Sequence, residues 1–237
     1  MIHRKRLLIA DNHKLVAESC KHLLEPEFEV VGAVSDGRAL LEAAFALKPA
    51  GVVLEIALPL LNGLDAAAQL KRKLNTLNLI FVTAASDPAM TAEAFRRGAS
   101  AYVLKQSGTE EFLTAIRRVM RGESYLSSLL ARETLDYLLR QPKADRLITP
   151  RQSEILQLLA EGHSMKQVAD ILSITPGTVA FHKYKMMEVL GLSSNAELLQ
   201  YAIEKHIVCT GKGWGFDEYS EPARMGSVRQ FPSVSPA

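Results

Sequence analysis

Residues 52–59 read VVLEIALP, a short apolar run that a single carboxylate, Glu55, interrupts. Similar runs recur through the first half of the chain, and short runs that are almost continuously apolar are typical of strands buried on both faces of a sheet. The five predicted strands are Arg6–Ala10, Phe28–Val34, Val52–Ile56, Leu79–Thr83 and Ala101–Leu104.

Stretches with helical periodicity lie between and after these strands, at Lys14–Leu24, Arg38–Leu47, Leu64–Leu74, Pro88–Arg97 and Thr109–Arg121. Five strand-then-helix repeats predict an α/β doubly wound fold with a five-stranded parallel sheet over residues 1–122. In such folds ligands bind at the carboxyl ends of the strands. Polar residues stand at or just after four predicted strand ends, and we expect them to lie together: Asp11, Glu55, Thr83 and Lys105.

The rest of the chain is predicted to be helical and then irregular. Residues 123–146 have a helical middle, Leu129 to Leu139, and a charged, proline-containing end, which predict a helical linker. Residues 147–210 have helical periodicity throughout and predict a small all-α helix-turn-helix domain, and residues 211–237 are rich in Gly, Ser and Pro, which predicts a flexible tail. Capping residues mark four helix starts, at Thr149, Ser164, Thr175 and Ser194. All of them except Thr175 are followed three residues later by Gln or Glu, which predicts a capping box.

The composition is that of an ordinary globular protein. Its 237 residues suffice for two domains, and the net charge of +2 is spread so evenly that no segment is strongly basic. Its two cysteines, Cys20 and Cys209, are far apart and are expected to be reduced thiols. No apolar run approaches the ~18–20 residues that cross a bilayer, so we expect a cytoplasmic protein that does not bind membranes.

The carboxylates predicted at the strand ends have the chemistry of a magnesium site. Mg²⁺ prefers oxygen ligands and can neutralise an incoming phosphoryl group, while a lysine and a hydroxyl hold the remaining oxygens. Asp11 and Glu55 supply the carboxylates, and Thr83 and Lys105 supply the other two groups. Spacing alone leaves a second interpretation open, in which these are solvated residues at strand ends.

Four segments, agreeing in order, spacing and strand context, carry a family resemblance: LLIADNH (7–13), VVLEIALP (52–59) with Asn62-Gly63, FVTA (81–84) and AYVLK (101–105). Residues 5–121 resemble a response-regulator receiver domain of the CheY-like type. The resemblance implies that two acidic residues after the first strand hold magnesium. It also implies that an Asp after the third strand accepts a phosphoryl group from a histidine kinase, and that Thr83, Tyr102 and Lys105 respond to that state.

Two departures from the family pattern make this receiver atypical. Glu55 stands at the phosphoacceptor position instead of Asp, and Asn12 stands at the second acidic position. With Asp11 and Glu55 as the charged ligands, magnesium should bind weakly at best, and the longer Glu55 side chain displaces the attacking oxygen, which should make phosphorylation inefficient. Three hypotheses remain open: Glu55 mimics a phosphoryl group in part by bonding Thr83 and Lys105, the receiver is an inert dimerisation scaffold, or Glu55 is still phosphorylated.

Two helices predicted at about Ser164–Leu172 and Thr175–Leu190 flank a short turn, which is the pattern of a helix-turn-helix. The surrounding sequence closely resembles the LuxR-type helix-turn-helix of NarL/FixJ-family regulators through LITPRQ (147–152), AEG (160–162), VA (168–169), TV (178–179), LG (190–191) and AEL (196–198). This resemblance implies sequence-specific binding to double-stranded promoter DNA by a homodimer whose last helix helps to pair the protomers.

The second helix divides into a core seam and a candidate DNA-binding face. Val179, His182 and Met186 lie on the seam, so we interpret His182 as a core residue. Phosphate contacts provide much of the affinity for DNA, and Arg151 is a further candidate cation. Because the family's usual lysine is replaced by glycine before the Thr-Val pair, we expect weak, salt-sensitive binding by an isolated domain, which dimerisation should strengthen through avidity. The candidate DNA-binding residues are Lys166, Gly177, Thr178, Phe181, Lys183, Tyr184 and Lys185.

The sequence therefore predicts a two-component transcription regulator under phosphorylation-independent control, in which a histidine kinase or another regulatory protein is a further expected partner. This hypothesis requires no cofactor. We do not expect an enzyme, because the sequence shows no recognisable pair of a nucleophile and a general base. Two alternatives remain open: a protein-interaction adaptor or anti-regulator with little affinity for DNA, and a conventional kinase-driven regulator that is phosphorylated at Glu55.

Overall fold

The computed structural model describes residues 4–140, 148–205 and 207–208. A parallel sheet forms the centre of the first domain, with strand order β2-β1-β3-β4-β5-β6. The strands are β1 (Arg6–Ala10), β2 (Glu29–Val34), β3 (Gly51–Leu54), β4 (Asn78–Thr83), β5 (Ala101–Leu104) and β6 (Tyr125–Leu126). The predicted doubly wound α/β fold is confirmed, and its five predicted strands lie within two residues of their expected bounds.

Helices cover both faces of this sheet because side chains alternate between the faces along each strand. Leu7 and Ile9 pack on one side with residues of α1 and α5, whereas Leu8 and Ala10 pack on the other side with α2, α3 and α4. These helices are α1 (Lys14–Leu24), α2 (Gly37–Leu47), α3 (Gly63–Lys73), α4 (Pro88–Arg96) and α5 (Thr109–Met120).

The sheet has one strand more than the sequence predicted. β6 pairs in parallel with the outer edge of β5, and the Tyr125 N–H donates to the Ser100 carbonyl at 3.0 Å. A strand of two residues is too short to produce a periodic signal, which explains why the sequence did not reveal it. The chain then enters α6 (Ser128–Arg140), which packs against α4 and corresponds to the helix predicted in the linker.

The C-terminal part is all-helical and has its own core, built around Ile155, Val168, Val179 and Met186. Its helices are α7 (Pro150–Ala160), α8 (Met165–Leu172), α9 (Pro176–Leu190) and α10 (Asn195–Glu204). Complete capping boxes form at Thr149 and Ser164 as predicted.

At the start of α10, half of the predicted capping box is missing. The Ser194 side chain accepts the Glu197 N–H, but the Glu197 carboxylate accepts from the Ser193 N–H at 2.7 Å instead of from Ser194. The expected reciprocal box is therefore wrong at this helix. The carboxylate still satisfies a backbone donor of the preceding turn, so the helix start is stabilised in another way.

Some predicted features lie outside the described residues, namely the end of the linker (141–146), the tail (211–237) and Cys209. Cys20 is buried on α1, and burial together with the charge of Asp11 raises its pKa to about 11, so this thiol stays protonated. Within the described residues, no helix is both long enough and apolar enough to span a bilayer.

Candidate functional site

The four polar residues predicted at strand ends lie at one edge of the sheet, because β1, β3, β4 and β5 are consecutive neighbours there. Asp11, Glu55 and Thr83 are almost fully buried, with 7%, 4% and 2% of their surface exposed. Buried carboxylates need a partner of opposite charge, and Lys105 is placed to provide it.

Lys105 bridges the two carboxylates. Its Nζ lies 2.7 Å from Asp11 Oδ2 and 2.8 Å from Glu55 Oε2. Burial alone would lower the pKa of Lys105, but the charges and hydrogen bonds of Glu55 and Asp11 outweigh it, and the net pKa is raised. The ammonium therefore stays charged and holds both side chains in place.

The second oxygen of Glu55 faces the loop that follows β3. Oε1 accepts from the N–H of Ile56 at 2.6 Å and from the N–H of Ala57 at 3.2 Å. Both oxygens of Glu55 are thus engaged, one by a cation and one by two backbone donors. This arrangement satisfies the buried charge within the chain itself.

The donor set does not fit a magnesium ion as it is arranged. The Lys105 ammonium occupies the place between Asp11 and Glu55, while Asn12 is exposed and offers only a neutral amide oxygen. Asp11 Oδ1 is also occupied, since it accepts from the His13 N–H at 2.8 Å. Across residues 4–140, 148–205 and 207–208, no three His, Cys, Asp or Glu side chains come together as metal ligands.

Thr83 and Tyr102 meet at Ala85 instead of at Glu55. The Thr83 hydroxyl oxygen accepts from the Ala85 N–H at 3.2 Å, and the Tyr102 hydroxyl donates to the Ala85 carbonyl at 2.8 Å. Tyr102 is fully buried and stacks on Phe81 with ring centroids 6.2 Å apart. Of the two bonds that the sequence suggested for Glu55, the described residues show the one to Lys105 but not the one to Thr83.

Two glycines hold the loop between β3 and α3 close to the sheet. A Cβ at Gly63 would lie 2.2 Å from the Glu55 carbonyl oxygen, and a Cβ at Gly37 would lie 1.8 Å from the Leu61 carbonyl oxygen. Only glycine permits such approaches of backbone to backbone. The loop that begins at Glu55 is therefore fixed on two sides.

The C-terminal domain docks on this same loop through a set of hydrogen bonds that the sequence did not predict. Gln157 of α7 accepts from the Asn62 N–H at 2.7 Å and donates to the Leu58 carbonyl at 3.0 Å. Ser153 donates to Asp65 Oδ2 at 2.7 Å, and Glu161 accepts from the Leu60 N–H at 3.2 Å. We call these four bonds the docking contact.

A weak sequence signal for the docking contact exists in hindsight. Gln157 interrupts an apolar run, ILQLLA. If this helix packed only against the core of its own domain, position 157 would carry either an apolar side chain or a polar side chain exposed to solvent. Gln157 is instead 1% exposed. Its partner Asn62 belongs to a motif noted for the receiver, but nothing in one sequence joins residues 95 positions apart.

The candidate DNA-binding face of α9 is open to solvent. Phe181 and Tyr184 are 65% and 62% exposed, and Gly177 and Lys185 are also exposed. On the other side of the helix Val179 and Met186 are buried, and His182 is half-buried, in the arrangement expected for a core seam. Lys166, at the start of α8, is exposed as well.

Several of the candidate cations have partners within the chain. Arg151 donates to Glu154 at 2.8 Å and to the Leu172 carbonyl at 2.9 Å, so part of its guanidinium is engaged within the C-terminal domain. Lys185 pairs with Glu188 at 2.8 Å, and the Lys183 ammonium lies 5.6 Å from the centre of the Tyr184 ring. Lys183 and Lys185 are held by exposed groups only, so DNA phosphates can compete for them.

Comparisons with known proteins agree with both domains. Residues 7–117 match the family model of the response regulator receiver domain, and residues 146–202 match that of bacterial regulatory proteins of the luxR family. The transcriptional regulatory protein MctR of Rhizobium johnstonii is 31% identical over 207 residues, which cover 86% of this chain and 95% of MctR.

Two further proteins are similar over most of their length. The oxygen regulatory protein NreC of Staphylococcus aureus is 28% identical over 214 residues, which cover 86% of this chain and 99% of NreC. A solved structure of the response regulator RcsB of Salmonella typhimurium, from work on its conformational dynamism for DNA interaction, aligns with a TM-score of 0.58 and 25% identity. That alignment covers 84% of this chain and 97% of the RcsB chain.

Proposed function

The chain belongs to the LuxR family of DNA-binding two-component response regulators, and we propose that it binds promoter DNA as a dimer under control that does not require phosphorylation of Glu55. One observation carries the second half of this proposal. Lys105 bridges Asp11 and Glu55, and the remaining oxygen of Glu55 is bonded to the backbone, so both oxygens of Glu55 have partners within the chain. The name of the relative MctR, a transcriptional regulatory protein, supports the first half.

The geometry of Glu55 disfavours phosphoryl transfer. An attacking oxygen must be free to align with the phosphorus atom, and a displacement of about 1 Å can lower the rate ~100-fold. Both carboxylate oxygens of Glu55 are engaged, and the Lys105 ammonium lies between Glu55 and Asp11, the two carboxylates that would hold a magnesium ion. We therefore propose that the protein works without a metal cofactor and without catalysis, and that a histidine kinase is not needed for its DNA binding.

Of the remaining hypotheses for Glu55, we favour partial mimicry of a phosphoryl group over an inert scaffold. The carboxylate holds Lys105 on one side and the loop after β3 on the other, and Tyr102 is fully buried. A single negative charge replaces the ~1.5–2 of a phosphoryl group, so the mimicry should be incomplete.

Glu55→Gln tests this preference, because it keeps the shape of the side chain and removes its charge. If the charge holds the domain in its DNA-binding arrangement, the affinity of the variant for a promoter fragment that the unmodified chain binds should fall about 5-fold or more, as is typical of coupled sites. Fluorescence anisotropy would measure the change, with Glu18→Gln on the exposed surface of α1 as the control. Unchanged affinity in Glu55→Gln would support the scaffold hypothesis instead.

The exposed face of α9 is the surface that we propose contacts DNA, with phosphate contacts from Lys166, Lys183 and Lys185 and base contacts from Phe181 and Tyr184. Gly177 and Thr178 lie at the start of the helix, where the Gly177 N–H can approach a phosphate, whereas the Thr178 N–H is already bonded to Thr175. Aromatic side chains at this position can contact the methyl groups of thymine. The last helix, α10, is the proposed site of pairing between protomers.

Replacing two of these lysines should weaken DNA binding in a salt-dependent way. In the variant Lys183→Ala plus Lys185→Ala, loss of two phosphate contacts should reduce the slope of log K against log[salt] by about 1.8. Anisotropy at several salt concentrations measures this slope, and genome-wide mapping of bound DNA supplies the promoter fragments. Lys14→Ala plus Lys48→Ala, exposed on the receiver, carries the same change in net charge and should leave the slope unchanged. A slope that falls equally in both variants would show that the two α9 lysines make no specific phosphate contact.

A second candidate function, a protein-interaction adaptor, draws support from the charge of the C-terminal domain. Residues 147–210 contain five Lys and Arg residues against six Asp and Glu residues. Arg151 is also engaged within the chain. The same salt titration distinguishes the two functions, because an adaptor would bind no DNA duplex sequence-specifically at any salt concentration.

A further inference from the structure

Most of the polar side chains buried between the two domains are hydrogen-bonded, although Nε and Nη2 of Arg38, which lies 3.7 Å from Glu154 of the C-terminal domain, have no hydrogen-bond partner within the described residues. Asn62, Asp65, Ser153 and Gln157 are each no more than 6% exposed. Buried polar groups cost free energy unless they are paired, so the bonds that these four residues make favour one geometry of contact. The docking contact therefore has the character of a defined interface.

Gln157 is at the centre of this interface because its amide uses both ends. The oxygen accepts from the backbone and side-chain N–H groups of Asn62 at 2.7 Å and 3.2 Å. The nitrogen donates to the Leu58 carbonyl at 3.0 Å and to Glu161 Oε1 at 2.7 Å. No smaller or apolar side chain at this position can make these four bonds.

An apolar contact accompanies the polar ones. Leu60, at the tip of the loop, packs against the core of the C-terminal domain, although it belongs to the receiver. It adopts a left-handed backbone conformation with φ of 63°, which is costly for a leucine and persists only where the surroundings stabilise it. The loop is therefore shaped for its contact with the second domain.

The loop also connects the docking contact to the pocket. Glu55 Oε1 accepts from Ile56 and Ala57, and the next residue, Leu58, provides the carbonyl that Gln157 bonds. Three residues of fixed backbone thus separate the pocket carboxylate from the C-terminal domain. A short stretch of hydrogen-bonded backbone therefore connects the pocket to α7.

The docked arrangement leaves the DNA-binding face of α9 uncovered. Polar contacts to the receiver come from Ser153, Glu154 and Gln157 on α7 and from Glu161 directly after it. Phe181 and Tyr184 on α9 are largely exposed. Docking and DNA binding therefore use different surfaces of the same domain.

We infer that the docking contact positions the C-terminal domain for DNA binding and that Gln157 is the positioning residue that links it to the loop behind Glu55. This inference rests on the proposed function and adds to it the path by which the receiver acts. In a dimer, fixed domains present two α9 helices at a defined separation, so less conformational freedom is lost on binding. The docked state is the binding state.

The test compares Gln157→Ala with the unmodified full-length chain in two measurements. Hydrogen exchange followed by mass spectrometry reports docking directly, because the amides of Leu60 and Asn62 are bonded only to groups of the other domain. Their exchange should accelerate at least ~10-fold in the variant. DNA affinity, measured by anisotropy with a promoter fragment, should fall about 10-fold as the domains lose their fixed arrangement.

Two controls keep the result interpretable. Gln200→Ala removes a glutamine that bonds Glu204 within α10, and it should change neither the exchange of the loop nor the affinity. Gln157→Glu places a carboxylate against the Leu58 carbonyl and Glu161, and it should repeat the effect of Gln157→Ala. In both Gln157 variants, unchanged exchange in the peptide that contains Val179 shows that the C-terminal core is intact.

The outcomes separate this inference from the proposed function. Faster loop exchange with unchanged or higher DNA affinity would overturn the inference and leave the DNA-binding function standing. Unchanged loop exchange would show that the docking contact does not hold the loop, which also overturns it. Absence of specific binding by the unmodified chain would overturn the proposed function and, with it, the positive role of docking.

Discussion

Lys105→Met should lower the free energy of unfolding by about 3–5 kcal/mol, because it removes the cation between two buried carboxylates. Asp11 and Glu55 are 7% and 4% exposed, and each lies within 2.8 Å of the Lys105 ammonium. Methionine fills a similar volume without charge, so the cost comes from the uncompensated carboxylates. Urea denaturation at neutral pH measures the change.

The origin of that cost can be isolated with a second substitution. Glu55→Gln in the Lys105→Met background removes one of the two uncompensated charges and should recover part of the lost stability. Lys14→Met on α1, which lies 3.8 Å from Glu18 on the exposed surface, should have little effect. Equal stability of Lys105→Met and the unmodified chain would contradict the assignment of Lys105 as the internal counter-ion.

The pH dependence of this prediction has a definite sign. The pKa of Lys105 is raised in the folded chain, chiefly by Glu55 and Asp11 acting against burial. A raised pKa contributes stability that is fully present below the ordinary lysine value and is lost only as the pH rises through the folded value. The deficit of Lys105→Met should therefore be the same at about pH 7 and about pH 9.

The fold was predictable because its signals are local. Each strand of the sheet is a short apolar run, and each helix carries an apolar face, so residues 4–120 could be assigned without knowledge of distant contacts. β6 could not be assigned in this way, because a strand of two residues shows no hydrophobic periodicity. It forms by pairing with the free edge of β5. Its existence follows from tertiary pairing alone.

The candidate site was predictable in its members but not in its bonds. The rule that strand carboxyl ends meet at one edge places Asp11, Glu55 and Lys105 together, as the structure does. Which atoms bond depends on side-chain rotamers and on the course of the following loop. Thr83 illustrates this, since its hydroxyl accepts from Ala85, two residues along the chain, at 3.2 Å.

The contact between domains was beyond the reach of a single sequence. Gln157 and Asn62 are ordinary polar residues whose burial results from the packing of two units against each other. Within the C-terminal domain, Arg151 likewise bonds the Leu172 carbonyl, 21 positions along the chain, which its own sequence neighbours did not indicate. Long-range pairing decides the role of such residues.

Asn12→Asp combined with Glu55→Asp should produce a receiver that accepts a phosphoryl group at position 55. The shorter side chain at position 55 withdraws its carboxylate from the N–H groups of Ile56 and Ala57, which frees an oxygen for attack. The added carboxylate at position 12 brings the pocket from two negative charges to three, which favours a divalent cation. Together they restore the two features that the pocket lacks.

Intact-mass spectrometry after incubation with acetyl phosphate and magnesium measures the result. The double variant should be labelled close to one phosphoryl group per chain, and labelling should disappear without magnesium. The unmodified chain and the single variant Asn12→Asp should remain unlabelled, because Glu55 keeps both its oxygens engaged in each. Equal labelling of the unmodified chain, abolished by Glu55→Gln, would instead show that Lys105 and the loop release Glu55 readily, and the proposal of phosphorylation-independent control would then be wrong.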